Sequence, residues 1–394
     1  MNQHHDATFL QKLRWSLPWL LRYPFWRAGE ITRRAFEPSG KTHVIFLVAN
    51  HYEPGTGRQA IPRVEQWMKL ARETGNAIRD HDGTPFRHTN FYPAEQYERP
   101  LLEMLAALQD EVLGEVEIHL HHGVDAPDTA ENTRRTLEEF RDRLVEDHKC
   151  LSRERPDRPA MYGFVHGNWA LANSAGNRWC GVDSEMRILA ETGCYADFTL
   201  PSVPHQSQVS RINAIYECGH AMDKARPHRS GPRLSVGQRP SVPIILEGPL
   251  VFDWSRRIHG IPVPRIDDGA LAQNYMLSLN RFKRWRSARI SVAGRPDWVF
   301  IKLFSHGFFD WDQDVMIGPQ MRLFMNQILE LAEKTGGFKI HFVSAREAFN
   351  IVMAAVDGKT GDPHQFRDYR LKQIMREGIR QPAEYSCDSS LVIG

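Results

Sequence analysis

Residues 43–49 read His-Val-Ile-Phe-Leu-Val-Ala, and this apolar run stops at Asn50 and His51. A short, continuous run of β-branched and other apolar residues is typical of a strand that is buried on both faces of a parallel sheet. The run is therefore predicted to be the first strand of such a sheet. Later stretches have the same character, and we predict further strands at 86–92, 115–121, 159–165, 195–199, 242–248, 298–305 and 338–343.

Longer segments with helical spacing of their apolar residues separate these strands. They predict helices at 61–79, 98–111, 128–147, 182–192, 269–286, 319–334 and 345–355. Strands that alternate with helices along the chain indicate a parallel sheet covered by helices. Seven or eight such β/α units in one length of chain predict an α/β fold, a (β/α)7–8 barrel that is distorted or incompletely closed.

Composition divides the 394 residues into three regions. Residues 1–40 form a basic, aromatic N-terminal segment, residues 41–358 the predicted barrel, and residues 359–394 a polar tail that we expect to be loosely held. Within the barrel, the stretch 201–241 is rich in Ser, Pro, Arg, Gly and His and lacks periodicity. Loops of this length are usually functional or mobile.

The N-terminal segment 8–36 mixes bulky apolar side chains with lysine and arginine, and we expect Pro18 and Pro24 to break it into short pieces. One interpretation is a helix in a membrane interface, with rings at headgroup level and cations against anionic lipid. The other is a helix packed across one end of the barrel. Both interpretations stay open, so peripheral membrane contact through residues 8–36 is one of two expectations.

Overall charge argues against nucleic acid as a partner, because 50 basic and 48 acidic side chains leave a net charge of only +2. The five cysteines form no C-x-x-C pair, so neither a disulfide framework nor a zinc knuckle is indicated. No run approaches the ~20 apolar residues that span a bilayer, and the first residues lack the order of a secretion signal. We therefore expect a cytoplasmic protein, peripheral at the inner face of the membrane if the first interpretation of residues 8–36 holds.

Histidines lie at the ends of four of the predicted strands. They are, in chain order, His51, His119, His121, His122, His166 and His306. The carboxyl ends of parallel barrel strands open onto the active site, so these side chains are expected to converge there. Neutral imidazole is the commonest nitrogen ligand for zinc and related ions, and Glu53 follows His51 in the same turn. A single histidine at such a position is often structural, but the repetition at four strand ends predicts a divalent-metal site.

We expect His51, His119 and His121 to hold this ion, with zinc favoured over manganese, cobalt and nickel. His119 and His121 are two positions apart, so a strand projects both from one face. Two alternatives stay open: His122 replaces His121 as the partner of His119, or Asp125 completes a pair with His121.

The order of these motifs resembles the polysaccharide deacetylase superfamily, also called the NodB-homology or carbohydrate esterase family four fold, over roughly residues 42–355. The segments that carry the resemblance are His88–Tyr92, Glu115–His122, Tyr162–Trp169, Asp183–Pro201 and Lys302–Gly307. The second of these is similar to the E-I-G-x-H metal motif of the family. The resemblance implies a barrel of the glycoside hydrolase/deacetylase type and metal-dependent hydrolysis.

This chain departs from the family pattern at three positions. The first family motif carries two aspartates, a base and a metal ligand, where this chain has Asn50 and His51. The second motif places its metal histidines four positions apart, and Gly123 stands at that distance from His119. The arginine that steadies the base is replaced by Val165 or His166. These departures indicate rewired chemistry, or its loss.

The resemblance and the residues together predict removal of an N- or O-acetyl group from a saccharide of exopolysaccharide or cell-surface polysaccharide metabolism. Glu53 is the candidate for base or fourth ligand. His306 resembles the family acid that protonates the leaving group, and Asp197 or His166 would orient one of these groups. The candidates for saccharide contact are Asn50, Asn168 and Trp169.

Two alternative functions stay open. One is a catalytically inactive barrel that binds a glycan or supports a membrane-proximal assembly, and the missing double aspartate favours it. The other is a glycoside hydrolase, which needs two carboxylates across a cleft. Glu53 and Asp197 are the candidate pair for that reaction.

Overall fold

A computed structural model describes residues 7–36, 40–219, 221–305, 308 and 310–375. At the centre of these residues is a sheet whose strands are β1 (Thr42–His51), β2 (His88–Pro93), β3 (Gly114–Leu120), β4 (Tyr162–His166), β5 (Cys194–Asp197), β6 (Ala214–Glu217), β7 (Ile244–Glu247), β8 (Trp298–Ser305) and β9 (Phe338–Phe342). The order across the sheet is β8-β1-β2-β3-β4-β5-β7-β6, and β9 also pairs with β1. Every pairing is parallel except that of β6 with β7. The prediction of an α/β fold with a mostly parallel sheet is thus confirmed.

All the predicted strands form, and β6 is an addition inside the stretch 201–241 that was expected to lack regular structure. It pairs antiparallel with β7, with Ile215 opposite Leu246. Its four residues are too few to show a period of two in a polar surrounding, so only pairing with a neighbour stabilises it. The rest of the stretch consists mainly of turns and extended segments.

The helices are α1 (Phe9–Leu20), α2 (Tyr23–Phe36), α3 (Ala60–Ala77), α4 (Arg99–Asp110), α5 (Ala130–Glu146), α6 (Glu185–Thr192), α7 (Leu279–Ser287), α8 (Gln313–Met316), α9 (Pro319–Thr335) and α10 (Ala345–Val356). The prediction of one helix over 269–286 is wrong in its first half. Helix α7 begins after Ser278, whose side chain accepts a hydrogen bond from Arg281 N. Of the preceding residues, 269–271 pair with β8, where Leu271 N donates to Phe304 O over 2.8 Å, and 273–275 form a turn.

The described part of the C-terminal region is not loosely held, contrary to expectation. Arg367 is buried and bonds to Glu347 at the start of α10 (3.1 Å) and to Asp80 (3.1 Å). Leu371 is buried, and Gln373 pairs with Ser152 in a short antiparallel ladder. Residues 363–375 therefore belong to the packed fold, whereas 376–394 lie outside the described residues.

The N-terminal segment forms two helices that pack against the loops near β7. The expected break at Pro18 is wrong, because α1 runs through this residue to Leu20. Trp19 is buried against Ile212 and Leu250. Packing of α1 on the loops near β7 is thus shown. Large apolar side chains of α1, α2 and the turn between them are exposed to solvent, namely Phe9, Leu10, Leu13, Leu17, Leu21, Phe25 and Ile31.

The expectations about cysteines and membrane spans can be compared with the structure only for the residues that it describes. Within them, Cys150, Cys180, Cys194 and Cys218 are all buried and form no disulfide. None of the described helices has the length and apolar character to cross a bilayer.

Candidate metal centre

The register of the sheet places His51 and His119 on one face. His51 pairs with Phe91 on β2, and Phe91 pairs with Glu117 on β3. Residues paired across parallel strands share a face, and so do residues two apart on one strand. His119 therefore leaves the sheet on the same side as His51, close to the ends of β1 and β3.

Four side chains meet on this face, and we call His51, Glu53, His119 and His121 the first cluster. His51, Glu53 and His119 each offer a ligand atom, and these atoms lie within 4.8 Å of one another. The distance from Glu53 Oε1 is 3.3 Å to His119 Nε2 and 3.8 Å to His121 Nε2. The ring centroid of His119 lies 4.9 Å from that of His51 and 4.6 Å from that of His121. The structure thus brings together the three histidines and the carboxylate that the sequence grouped.

Hydrogen bonds on the far side of two rings orient them toward Glu53. His119 Nδ1 lies 3.0 Å from the carbonyl oxygen of Val165 on β4, so this nitrogen donates its proton there. His121 Nδ1 lies 2.6 Å from a carboxylate oxygen of Glu95. In both rings the Nε2 atom then faces Glu53. Histidine ligands of metals are usually held in this way, because the outer bond fixes the tautomer and the ring plane.

Burial and charge set the protonation of the two rings differently. Burial lowers the pKa of His119, and the neighbouring carboxylate of Glu53 only partly opposes this effect. Burial also acts to lower the pKa of His121, but the hydrogen bond to Glu95 and the charge of Glu53 outweigh it, so this pKa is raised. His119 is therefore held more firmly than His121 in the neutral form that a cation binds.

Close packing fixes the position of the His121 ring. A Cβ atom at Gly167 would lie 2.3 Å from Cδ2 of His121, so only glycine fits there. Gly167 N also donates to Leu120 O over 2.8 Å, which ties the turn after β4 to the end of β3. Glycine is therefore required at position 167 because a larger residue would overlap the ring of His121 in the candidate site.

Two further histidines of the predicted set occupy a different place. His122 and His166 lie with Cys180 and Glu185 in a buried group that we call the second cluster. The Nε2 atoms of the two histidines are 3.1 Å apart. The alternative in which His122 completes the first cluster, and the idea that His166 orients its base, therefore do not agree with this geometry.

The remaining catalytic candidates are Asp197 and His306. Asp197 is fully buried, and its carboxylate accepts hydrogen bonds from the hydroxyl and amide of Thr199, at 2.7 and 3.2 Å. Burial raises its pKa to about 7, although the charge of Lys302 acts in the opposite direction. These hydrogen bonds tie the carboxylate of Asp197 to Thr199, and among the described residues it makes none to the first cluster. His306 lies outside the described residues.

The three candidates for saccharide contact differ in environment. Asn50 is fully buried and bonds to Asn90 (3.1 Å) and Ser305, so it serves the sheet rather than an open pocket. Asn168 N donates to His166 Nδ1 over 3.2 Å, and its buried Nδ2 makes no hydrogen bond to the described residues.

Trp169 lies in an aromatic group that connects the candidate site to the N-terminal helices. The ring of His205 is 5.8 Å from that of Trp169 and 6.2 Å from that of Trp15 on α1. Helix α1 therefore packs beside the loop that follows β4.

Three functional candidates escaped the sequence analysis, namely Glu95, Cys180 and Glu185. Glu95 follows β2 in a short 3-10 helix, and the sequence carries no sign that its carboxylate reaches His121. Cys180 stands alone in a polar loop, and Glu185 has the appearance of an ordinary acidic residue in the first turn of a helix. One signal was available in the sequence: His119 and His122 are three positions apart, so an extended segment directs them to opposite faces of the sheet.

Comparison with models of protein families gives no match, and comparison with curated proteins gives none either.

Proposed function

We propose that the chain is a metal-dependent hydrolase that removes an N- or O-acetyl group from a saccharide of exopolysaccharide or cell-surface polysaccharide metabolism. The observation that carries this proposal is the convergence of the Nε2 atoms of His119 and His121 on a carboxylate oxygen of Glu53. It agrees with the resemblance of the strand-end motifs to the polysaccharide deacetylase superfamily. The site lies where a parallel sheet places its chemistry, at the carboxyl ends of β1 and β3.

The donor set of the first cluster fits a divalent cation such as zinc. Imidazole nitrogen and carboxylate oxygen are common zinc ligands, and three protein ligands leave positions open for water and substrate. His119 Nε2 is buried and lies 3.3 Å from Glu53 Oε1, while its Nδ1 is already bonded to the carbonyl oxygen of Val165. A cation held by His51, His119 and His121 would polarise an acyl carbonyl and lower the pKa of a water molecule. Manganese, cobalt and nickel are the alternatives to zinc.

Glu53 is the proposed base or fourth ligand. Its side chain keeps 22% of its surface exposed, whereas His119 is fully buried, so Glu53 faces both the cluster and the solvent side. A carboxylate in this position is able to take a proton from an attacking water molecule. His306 stays the proposed acid for the leaving group, because it follows β8, whose Phe304 ring lies 6.0 Å from the ring of His51.

The proposed architecture is a barrel of the glycoside hydrolase/deacetylase type. The parallel order from β8 to β7 supports it, and so do contacts that β8 makes with the residue after β5 and with the segment before α7. Lys302 Nζ on β8 donates to Phe198 O over 2.7 Å, and Ala270 bridges to Phe304. These contacts link the two ends of the strand path through loops.

We further propose that α1 and α2 rest on an anionic membrane surface. Their exposed apolar side chains include Phe25 at 80% and Leu21 at 67% exposure. Arg14 and Arg22 are exposed on the same segment, and its acidic side chain Glu30 is buried and paired with Arg33. An apolar row flanked by cations suits insertion into the headgroup region. The protein would then act at the inner face of the membrane without spanning it.

The function is tested by acetate release from acetylated sugar oligomers, with the metal content of each purified variant measured in parallel. We expect release by the wild type and its loss in Glu53→Gln and in the double variant His119→Ala/His121→Ala. Glu139→Gln, an exposed carboxylate on α5, is the matched control and should keep full activity. Release of reducing ends without acetate would instead support a glycoside hydrolase. Saturable glycan binding without either product would support an inactive binding barrel.

A further inference from the structure

The second cluster lies on the opposite side of the sheet from the first. Leu120 follows His119 on β3 and so points to the other face, and the register pairs Leu120 with His166 on β4. Glu185 is the first residue of α6, and Thr133 of α5 contacts His122 Nδ1 at 3.2 Å. The cluster therefore fills the layer between the sheet and helices α5 and α6, away from the proposed reaction.

We infer that His122, His166, Cys180 and Glu185 form a second site for a divalent cation, of the structural zinc type. Each side chain offers one ligand atom, and all four atoms lie within 4.8 Å of one another. His122 Nε2 is 3.1 Å from His166 Nε2 and 2.9 Å from Glu185 Oε1, and Cys180 Sγ is 3.5 Å from Glu185 Oε2. Tetrahedral zinc with bonds of about 2.0–2.3 Å holds its ligand atoms roughly 3.3–3.8 Å apart. The spacing of the cluster is close to this range.

With His166 in the tautomer that Asn168 N sets, protons alone satisfy this arrangement poorly. Asn168 N donates to His166 Nδ1, so a neutral His166 carries its proton on Nε2 and directs it at His122 Nε2. A proton on His122 Nε2 would bond to Glu185 but oppose the proton of His166. Without that proton, the lone pair of His122 would oppose the carboxylate. A cation between His122 Nε2, His166 Nε2 and Glu185 Oε1 would accept a lone pair from each of them. For this, the proton of His166 must move to Nδ1, and the backbone N–H of Asn168 must turn away from that atom.

Two backbone N–H groups donate hydrogen bonds to the sulfur atom of Cys180, the arrangement that a metal-bound thiolate uses. Asn173 N and Val182 N lie 3.3 and 3.5 Å from Sγ and donate to it. Hydrogen bonds to the charged form of a group stabilise that form. The loop that carries Cys180 is itself held to the end of β3, because Trp179 N donates to Gly123 O over 2.9 Å. Two backbone donors on one buried sulfur atom provide what a metal-bound thiolate needs.

The outer side of His122 has the partner that metal-binding histidines usually have. Its Nδ1 lies 2.9 Å from Asp128 Oδ2. That carboxylate also accepts hydrogen bonds from Thr133 Oγ1 and Asn132 Nδ2, both at 2.8 Å, and is therefore held in place. A carboxylate bonded to the far nitrogen fixes the ring so that Nε2 faces the cation.

The burial of the second cluster indicates a structural metal site and not a catalytic one. His166, Cys180 and Glu185 are fully buried, and His122 is 6% exposed. Four protein ligands in a closed site leave no position for substrate, whereas catalytic sites keep one open. A thiolate with two imidazoles and a carboxylate suits zinc better than magnesium or calcium, which prefer oxygen ligands. The ion would join β3, β4, α6 and the loop before α6, and so hold the strand ends that carry the first cluster.

Cobalt substitution tests the site, because a thiolate bound to Co²⁺ absorbs in the near ultraviolet and the first cluster contains no sulfur. The full-length protein is produced in medium in which cobalt replaces zinc. We expect the charge-transfer band in the wild type and in His51→Ala/His119→Ala, and its loss in Cys180→Ser. Cys194→Ser, which removes another buried thiol, should keep the band. His51→Ala/His119→Ala removes ligands of the first cluster only. A band that persists in this variant therefore supports the second site whether or not the proposed function is correct.

A wild type without this band, or a band that persists in Cys180→Ser, would overturn the second site. Because Cys180→Ser is a buried change that could prevent folding, X-ray absorption of the wild-type zinc protein provides a second measurement. It should show a sulfur neighbour at about 2.3 Å beside nitrogen and oxygen neighbours at about 2.0–2.2 Å. A zinc spectrum without sulfur would equally contradict the assignment.

Discussion

The Nδ1 atom of His121 lies 2.6 Å from a carboxylate oxygen of Glu95. This contact joins the residue after β3 to the short helix after β2, and it turns the other ring nitrogen toward Glu53. Glu95 was not among the residues that the sequence indicated. Its placement makes it a positioning residue for the proposed metal ligand.

Glu95→Gln is expected to weaken metal binding by about 10–100-fold, because the amide no longer fixes the His121 ring and its tautomer. The dissociation constant, measured by competition with a chelator, gives the effect directly. Glu139→Gln on the exposed surface of α5 should bind like the wild type. Unchanged affinity in Glu95→Gln would show that the carboxylate does not orient His121.

Gly123→Ala is expected to destabilise the fold by about 2–5 kcal/mol, from a left-handed backbone and a steric overlap. Gly123 has a φ of +63°, and its added Cβ would lie 2.2 Å from the carbonyl oxygen of Cys180. Gly336 has a φ of +61° with no atom within 4 Å of such a Cβ, so Gly336→Ala carries the backbone cost alone. Urea unfolding of the two variants should differ by about 1–3 kcal/mol. Equal losses of unfolding free energy in the two variants would mean that the loop at Cys180 moves away from the added methyl group without cost.

Glu347→Gln is expected to cost about 3–5 kcal/mol of unfolding free energy at neutral pH, because it removes the carboxylate that pairs with the buried guanidinium of Arg87. Glu347 Oε2 lies 2.5 Å from Arg87 and 3.1 Å from Arg367. Burial acts to raise the pKa of Glu347, but the charges of Arg87, Arg367 and Arg346 outweigh it and lower the pKa to about 2.

The sign of the pH dependence follows from that lowered pKa. A carboxyl group whose pKa is lower in the folded state stabilises the fold above its unfolded pKa of 4.5, and this contribution is lost as the pH falls toward 2. The stability difference between the wild type and Glu347→Gln should therefore shrink between pH 4.5 and the lowest pH at which the wild type stays folded. A difference that stays constant over this range would contradict the ion-pair assignment.

The double variant Leu21→Ser/Phe25→Ser is expected to lose binding to anionic vesicles by at least tenfold. Each removed side chain would contribute about 1.5–3 kcal/mol if it were fully buried in the lipid interface. Folding should be unaffected, because both side chains face solvent. Leu323→Ser on α9, where the leucine is 62% exposed, is the matched control. Equal vesicle recovery of the wild type and the double variant would end the membrane proposal.

The local pattern of apolar residues along the sequence was sufficient to predict most of the strands and helices. The buried runs predicted eight strands because a parallel strand must be apolar on both faces, and this requirement is visible in a few consecutive residues. Segment 269–286 shows the limit of that method, since apolar spacing does not reveal that residues 269–271 pair with β8. β6 was missed for the same reason, because its stability comes from β7.

The sequence by itself determined that histidines end the strands and that His119 and His121 share a face, because a strand alternates its side chains with a period of two. Only the tertiary structure decided which histidines meet. The register of β3 on β4 sends His166 to the opposite face from His119, and the packing of α6 brings Glu185 to it. Register and helix packing depend on contacts between distant parts of the chain, so no local pattern records that one row of histidines divides into two clusters.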